Sequence, residues 1–279
     1  MAWPLTPRRL DAGELAVRAI GVLFIGFLGL PVAAVVARTI VGGPALDSNV
    51  VRGVLDALGL SLLTTAGALV ITVVLGTPIA LRLARPPNGR RSKGLVLVET
   101  LIDLPIVLPP SVAGLALLLV FGRRGLFGPP LETAGMTIAF TTVAVILAQT
   151  FVAAPFFVRA ARAGFAAVDR DLEDAARVDG ADERRVFRHV TLSLAAPSVA
   201  AGLVMTWARA LGEFGATIMF AGNVEGRTQT LPLLVYAEFQ TGDLDTSLAA
   251  AAILVVAAFG VIVAVRLLRW PRALDLRAI

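Results

Sequence analysis

The sequence predicts an all-α polytopic membrane protein with six transmembrane helices and one cytoplasmic helix-turn-helix loop. Apolar residues make up 57% of its 279 residues and charged residues only 16%, whereas soluble domains usually carry about 25% charged residues. Six apolar runs are each long enough to cross the hydrocarbon core of a bilayer. The longest polar interval, residues 168–197, lies between the fourth and fifth runs.

The first apolar run has two interpretations. A basic start followed by an apolar run and small residues is also typical of a signal peptide, but this run exceeds the usual signal core of about 7–15 residues. With so much membrane protein behind it, a retained span is the expected outcome. The six spans are therefore predicted at residues 19–36, 55–83, 94–122, 136–158, 198–220 and 248–268.

The third run is interrupted by two carboxylates and three prolines, which are Glu99, Asp103, Pro105, Pro109 and Pro110. Irregular backbone is tolerated at membrane depth where it is buried in protein or lines a cavity, so one interpretation is a bent or broken helix. The other is a cytoplasmic amphipathic lead-in to a short span that begins near Ile106. The sequence leaves both open.

The basic residues predict the orientation of the chain. With both termini inside, 19 Lys and Arg residues are cytoplasmic and five are external, which satisfies the positive-inside rule. Residues 1–18 then form a cytoplasmic N-terminal segment, residues 269–279 a cytoplasmic tail, and residues 222–245 a polar external loop. In a multi-pass plasma-membrane protein, the net charge of +5 reports orientation and lipid contact, not nucleic-acid binding.

The polar interval reads as a short helix, a turn and a second helix, and the whole loop spans about residues 166–192. Acidic residues crowd its start, where negative charge suits the positive end of a helix dipole, and small apolar residues follow. Gly180 fits the left-handed position that ends a helix, and Asp182 fits the N-cap of the next. Such a helix is shaped to lie in a groove of another protein, although a solvated helical loop would show the same pattern.

Several kinds of chemistry are excluded by residue content. No G-x-x-x-x-G-K-[ST] phosphate loop is present, so any ATP hydrolysis belongs to another chain. The absence of cysteine excludes disulfides and thiolate metal sites. A single histidine excludes any site that needs two. We therefore expect no catalytic, cofactor-binding or metal-binding residue in this chain.

Arg209 and Glu213 are the intramembrane charges of most interest. They lie four residues apart on one helical face. Charges at this depth usually face the protein interior or a water-filled path. The pair is therefore either a translocation-pathway element or a structural ion pair, and the spacing slightly favours the structural pair because the two charges can neutralise each other.

The loop resembles the EAA loop of ATP-binding-cassette (ABC) importer permeases. The resemblance rests on Asp174-Ala175-Ala176-x-x-x-Gly180 and on the exit from Leu194 to Pro197. The family's leading Glu is Asp174 here, with Glu173 beside it. The resemblance implies a coupling helix that docks into an ATPase subunit, which uses ATP and Mg²⁺, through Glu173, Asp174, Ala175, Ala176, Gly180 and Ala181.

A second resemblance, covering about residues 52–268, is to the molybdate/tungstate branch of these permeases. It rests on four segments: residues 103–114, 212–217, 220–223 and 226–233. Glu225 stands where this branch more often has proline. The resemblance implies a homodimeric importer with an extracytoplasmic oxyanion-binding protein. The alternatives are a sulfate or thiosulfate permease and a secondary anion transporter without an ATPase.

Four residues of the last external loop are assigned to the outer mouth of the path: Asn223, Arg227, Thr228 and Thr230. Their side chains offer hydrogen-bond donors to an oxyanion. Ordinary turn chemistry explains the neutral ones equally well, and we favour that interpretation. The secondary-transporter alternative would need titratable or ion-coordinating residues on several spans, and these are few.

Overall fold

The computed structural model describes residues 12–42, 48–86 and 92–275, and within these ranges every regular element is helical. The elements are α1 (Ala12–Gly42), α2 (Ser48–Ala84), α3 (Lys93–Val107), α4 (Pro110–Phe121), α5 (Gly128–Thr133), α6 (Thr142–Ala166), α7 (Arg170–Val178), α8 (Glu183–Arg185), a π-helical segment (Val186–Thr191), α9 (Leu192–Leu211), α10 (Gly215–Phe220), α11 (Leu231–Thr241) and α12 (Leu244–Asp275).

Within the described ranges, five helices are long and apolar enough to cross a membrane, and the pair α3 and α4 makes a sixth candidate. This agrees with the six predicted spans, but several boundaries differ. The helix α1 already begins at Ala12, inside the predicted N-terminal segment, and α12 extends to Asp275, inside the predicted tail. Residues 1–11 and 276–279 lie outside the described residues. The fourth span begins at Thr142, six residues later than predicted, because Phe140 has a φ of 62° and Thr141 caps the helix.

The third region is a broken helix. Helices α3 and α4 meet at an angle of 119°, and Pro110 occupies the first turn of α4, where a missing N–H costs nothing. In the alternative of a lead-in helix and a short span, the span would be α4, which begins four residues after Ile106. The break lies between Val107 and Pro110, at the last two of the three prolines that interrupt the run.

The fifth region is longer than predicted and is itself broken. The helical path runs from Glu183 through the π-helical segment and α9 to Leu211, so the polar second helix of the loop continues into the membrane span. It then stops at Gly212, and α10 begins at Gly215. The predicted span at residues 198–220 is therefore wrong at its start and crosses a break.

The two breaks pack against each other. A Cβ atom added to Gly114 of α4 would lie 2.5 Å from the carbonyl oxygen of Ala216, and one added to Gly215 would lie 2.8 Å from Pro110 Cβ. The backbones of α4 and α10 are therefore in close contact near the first residues of both helices. This contact places the interrupted parts of the third and fifth regions side by side.

Small residues also bring α6 and α9 together. A Cβ added to Gly164 would lie 2.6 Å from Ser198 Cβ, and one added to Gly202 would lie 2.9 Å from Ala160 Cβ. Close approach through small residues is the usual way in which helices associate inside a bilayer. Helix α6 contributes to two of the three buried apolar clusters, one shared with α4 and α10 and the other with α2 and α9.

The expectation of a polar loop over residues 222–245 is wrong in part, because α11 occupies its second half. Leu231, Leu233 and Leu234 are buried, and α11 packs with α2 and α12 around a third apolar cluster. Ser61 of α2 accepts a hydrogen bond from the Leu231 amide at 2.8 Å. A buried hydroxyl on a membrane span thus fixes the start of α11.

Candidate functional site

The helix-turn-helix loop has the glycine turn and the second N-cap that the sequence predicts, and Asp169 adds a first cap. Asp169 caps α7 by accepting a hydrogen bond from the Asp171 amide at 3.0 Å. Gly180 has a φ of 87°, a conformation that L-residues with side chains rarely adopt. Asp182 caps α8 by accepting from the Arg185 amide at 2.8 Å. The structure of the loop is therefore specified by local contacts, and most side chains of α7 are exposed to solvent.

The outer face of α7 is small and weakly apolar. Ala175 is exposed, Val178 is 86% exposed and Leu172 is 51% exposed. Asp174 lies at one side of this face and is also exposed. Exposed apolar side chains that form one patch outside a membrane span are typical of interaction surfaces. Of the three alanines assigned to docking, Ala175 lies at the centre of this face.

Ala176 and Ala181 are only half-exposed. Helical geometry explains this for Ala176, because it is turned by about 100° from Ala175. Gly180 is exposed, and an added Cβ would meet no atom within 4 Å, so it acts through its backbone conformation. Of the predicted coupling residues, Ala175 is therefore accessible to a partner, whereas Ala176 and Ala181 lie at the edge of the exposed face.

Glu173 points inward, away from the outer face. It is 4% exposed and forms an ion pair with Arg85, which follows the end of α2. The Thr191 hydroxyl, at the end of the π-helical segment, donates a hydrogen bond to the same carboxylate. The assignment of Glu173 to the docking surface thus conflicts with its burial. We call Arg85, Glu173 and Thr191 the loop clamp.

The loop clamp also reaches the end of α6. Arg85 donates to the carbonyl oxygens of Phe165 at 3.3 Å and Val168 at 3.4 Å. These carbonyls lie at the negative end of α6, where a cation is favourable. One arginine therefore joins α2, α6 and α7, and Thr191 adds the segment that leads into α9. The sequence signal was available, because Glu173 lies two positions from Ala175 and so on the opposite side of α7.

Arg177 of α7 forms ion pairs on both sides of the turn at Gly180. It pairs with Glu183 at 2.7 Å and with Asp174 at 2.6 Å. The hydrogen bond to Glu183, with a second to Asp174, raises the pKa of Arg177 above its ordinary value. This pairing bridges the turn at Gly180. A cavity of about 330 Å³ lies behind the turn, between the end of α2 and the loop.

Two further ion pairs join α3 to α6. Arg159 pairs with Asp103 at 2.7 Å, and Arg162 pairs with Glu99. The sequence missed these pairings, although the spacing of the acids on α3 and of the arginines on α6 puts each set on one helical face. The first arm of the broken helix is therefore held to α6 by charge as well as by apolar contact.

Arg209 and Glu213 form the ion pair that their spacing predicts. The distance from Arg209 Nη1 to Glu213 Oε2 is 2.7 Å. Glu213 is 1% exposed, and its second oxygen accepts a hydrogen bond from the Ala216 amide at 2.8 Å. Glu213 thus also caps α10, so one carboxylate bridges the break after α9. The Arg209 side chain is 29% exposed, so it is partly accessible.

The assigned outer-mouth residues separate into buried and exposed ones. Thr228 and Thr230 are buried, and the Thr228 hydroxyl accepts from the Val224 amide at 2.9 Å. Asn223 is half-buried and donates to the Leu233 carbonyl at 3.5 Å. Arg227 is exposed. Thr228 and Asn223 therefore form hydrogen bonds to nearby backbone groups, and of these four residues Arg227 alone is exposed.

Together, the two broken helices and the presented loop helix define the chain as the membrane-spanning component of a transport system. Residues 73–270 match the family model described as the binding-protein-dependent transport system inner membrane component. The chain belongs to this family.

Relatives in three organisms carry names that refer to molybdenum transport. The molybdenum transport system permease protein ModB of Mycobacterium tuberculosis is 47% identical over 209 residues, which are 75% of this chain and 77% of that protein. A probable molybdenum ABC transporter permease of Haloferax volcanii is 37% identical over 89% of this chain and 87% of its own length. A putative molybdenum transport system permease of Bacillus subtilis is 40% identical over 66% of this chain and 80% of its own length.

Solved structures share the fold. A bacterial ABC transporter for the import of alginate matches with a TM-score of 0.66 and 17% identity, over 91% of this chain and 93% of that one. The inward-facing MetNI methionine ABC transporter matches with a TM-score of 0.57 and 20% identity, over 80% of this chain and 95% of that one. Both are ABC transporters, so the all-helical fold predicted from the sequence is confirmed.

Proposed function

We propose that this chain is the permease subunit of an ATP-driven importer for molybdate, with tungstate as a chemically similar substrate. The observation that carries the proposal is the outer face of α7, which is presented to the solvent and held from behind by the loop clamp. The substrate is supported by the names of relatives that are up to 47% identical. The alternative is a sulfate or thiosulfate importer. Competition of sulfate with molybdate for uptake would distinguish the two.

Coupling would follow the contacts of the loop. An ATPase subunit that moves the outer face of α7 also moves Glu173, and the loop clamp transmits that displacement to α2 and α6. The π-helical segment continues directly into α9, so the same displacement reaches the last turn of α9, which carries Arg209. ATP and Mg²⁺ would be bound by the partner, since this sequence has no phosphate loop.

The translocation pathway would lie beside the two breaks, where α4 and α10 begin. Discontinuous helices at membrane depth are the usual framework of transporter pathways. The exposed part of Arg209 offers a cation to an oxyanion there, while Glu213 limits how tightly the oxyanion is held. We infer a homodimer, with the path between two copies and with an extracytoplasmic binding protein that delivers the oxyanion.

Ala175→Glu tests the docking role of α7. A carboxylate buried without a partner at a protein contact costs several kcal/mol, or about two orders of magnitude in affinity. The variant should insert normally and lose co-purification with the ATPase. Ala134→Glu is the matched control, because Ala134 is exposed on the opposite side of the proposed membrane. Retention of the ATPase by Ala175→Glu would show that α7 is not the coupling helix.

Orientation is tested separately with single cysteines, since the native chain has none. Asp179→Cys should react with an impermeant maleimide only from the cytoplasmic side, and Glu225→Cys only from outside. Both positions are exposed, whereas Thr228 is buried and unsuitable for labelling. The reverse labelling pattern would contradict the proposed topology with both termini inside.

A further inference from the structure

We propose that three arginines around an external cavity form the docking surface for acidic residues of the extracytoplasmic binding protein. The cavity measures about 620 Å³ and lies where α4 ends. Arg123, Arg124 and Arg227 line it, and its other lining residues include no Asp or Glu. We call these three residues the arginine rim. The inference rests on the proposed function, because it assumes that a binding protein delivers the substrate.

The arginine rim is assembled from two distant parts of the chain. Arg123 and Arg124 follow α4, and Arg227 lies about 100 residues later, in the loop before α11. Among the described residues none of the three forms an ion pair, and all are exposed. Arginine is disfavoured on the external side of a membrane protein. Three of the five external arginines predicted from the sequence meet at this single cavity.

The guanidinium groups of Arg123 and Arg124 are not needed to cap the C-terminal end of α4. The last carbonyl oxygens of α4 already accept backbone hydrogen bonds, from the Gly122 amide at 2.8 Å, the Leu126 amide at 3.0 Å and the Phe127 amide at 2.8 Å. The donors of Arg123 and Arg124 therefore remain available for another molecule.

The loop that carries Arg227 is fixed against the segment that leads into α6 before any partner arrives. The Thr142 hydroxyl donates to the Arg227 carbonyl at 2.9 Å. The Phe140 amide donates to the Phe220 carbonyl at 3.3 Å, and a Cβ on Gly222 would lie 3.0 Å from the Phe140 ring. Because these contacts hold the Arg227 loop, binding at this part of the arginine rim requires little ordering, which favours affinity.

The surroundings fit a protein partner better than a free oxyanion. Phe140, which lines the cavity, is 52% exposed, and Leu126 and Phe127, which follow Gly125 of the lining in sequence, are 73% and 48% exposed. Arginine and large apolar side chains together are typical of protein interfaces. A small dianion would need buried donors to resist screening by salt, and these arginines are exposed. The geometry therefore favours carboxylates carried on a protein surface.

The test measures ATP hydrolysis by the whole complex in nanodiscs while the molybdate-loaded binding protein is titrated. The triple variant Arg123→Gln, Arg124→Gln, Arg227→Gln should raise the half-saturating concentration of binding protein about tenfold at low salt. The difference should shrink at high salt, where exposed charges are screened. The corresponding triple lysine variant should keep most of the apparent affinity, because it keeps the charge.

The matched control is Arg52→Gln, which removes an exposed external arginine that does not line the cavity. Its half-saturating concentration should equal that of the wild type. Equal values for the glutamine triple variant and the wild type would overturn the inference, as would a change only in the molybdate dependence. A wild-type complex that no binding protein stimulates would instead contradict the proposed function itself.

Discussion

Removal of Arg85 should release α7 from the rest of the permease. In the loop clamp the side chain of Arg85 is 20% exposed and that of Glu173 only 5% exposed. Arg85→Met would leave the Glu173 carboxylate with the Thr191 hydroxyl as its remaining partner. Breaking a buried ion pair typically costs about 3–5 kcal/mol. The partial exposure of Arg85 places this pair near the lower end, at about 3 kcal/mol.

That free energy predicts the size of the effect. Since about 1.4 kcal/mol is a factor of ten, the opening equilibrium of α7 should rise roughly a hundredfold. Amide hydrogen exchange of residues 170–178 in nanodiscs measures this opening directly. Co-purification of the ATPase should weaken in parallel, because an unfixed α7 no longer presents one face. Arg85→Met with Glu173→Gln should recover part of the protection, since it removes the unpaired charge.

Arg159→Met is the matched control. Its ion pair with Asp103 is more exposed, with side-chain exposures of 58% and 28%, and such pairs contribute only about 0–1 kcal/mol. Exchange in α7 should therefore change little. If the α7 amides exchanged as slowly in Arg85→Met as in Arg159→Met, the loop clamp would not hold the coupling helix. The transmission route proposed through α2 would then be wrong.

Three further predictions concern the helix breaks and one helix cap. Arg209→Met should lower the folded yield by leaving Glu213 unpaired, and the added change Glu213→Gln should restore part of it; a normal yield with lost transport would favour the pathway role. Gly114→Leu should destabilise the contact of α4 with α10 by at least about 1–3 kcal/mol, and an unchanged thermal midpoint would contradict that packing. Asp243 accepts hydrogen bonds from the Thr246 amide and hydroxyl, which lower its pKa below its ordinary value of 3.8. This stabilisation should therefore be present above about pH 4 and be lost as pH falls through the lowered pKa, and hydrogen exchange in the first turn of α12 would detect the loss.

Local signals in the sequence predicted much of the fold. Apolar runs predicted the number of spans, because span length is imposed by the bilayer. Gly180 and Asp182 predicted the turn and the cap of the loop, since both act through backbone conformation and nearest neighbours. The spacing of Arg209 and Glu213 predicted their ion pair for the same local reason.

Features set by distant contacts were not predictable in the same way. The start of α11 depends on Ser61, which lies 170 residues earlier. The inward direction of Glu173 depends on Arg85, at a separation of 88 residues. Glu213 was recognised as a charge but not as the cap of α10, because the break before Gly215 has no side-chain signal beyond glycine. Resemblance identified the loop and helical spacing places Glu173 opposite Ala175, but only the packing showed which of the two faces points inward.

The most direct measurement of the central claim is molybdate uptake by the reconstituted complex. Proteoliposomes would hold the permease and its ATPase, with ATP and Mg²⁺ on the ATPase side and the molybdate-loaded binding protein on the other. The account predicts accumulation of radiolabelled molybdate that requires ATP, competes with tungstate and is abolished by Ala175→Glu but not by Ala134→Glu. Accumulation without ATP or without the ATPase would contradict the account. Equal uptake by Ala175→Glu and Ala134→Glu would contradict it as well.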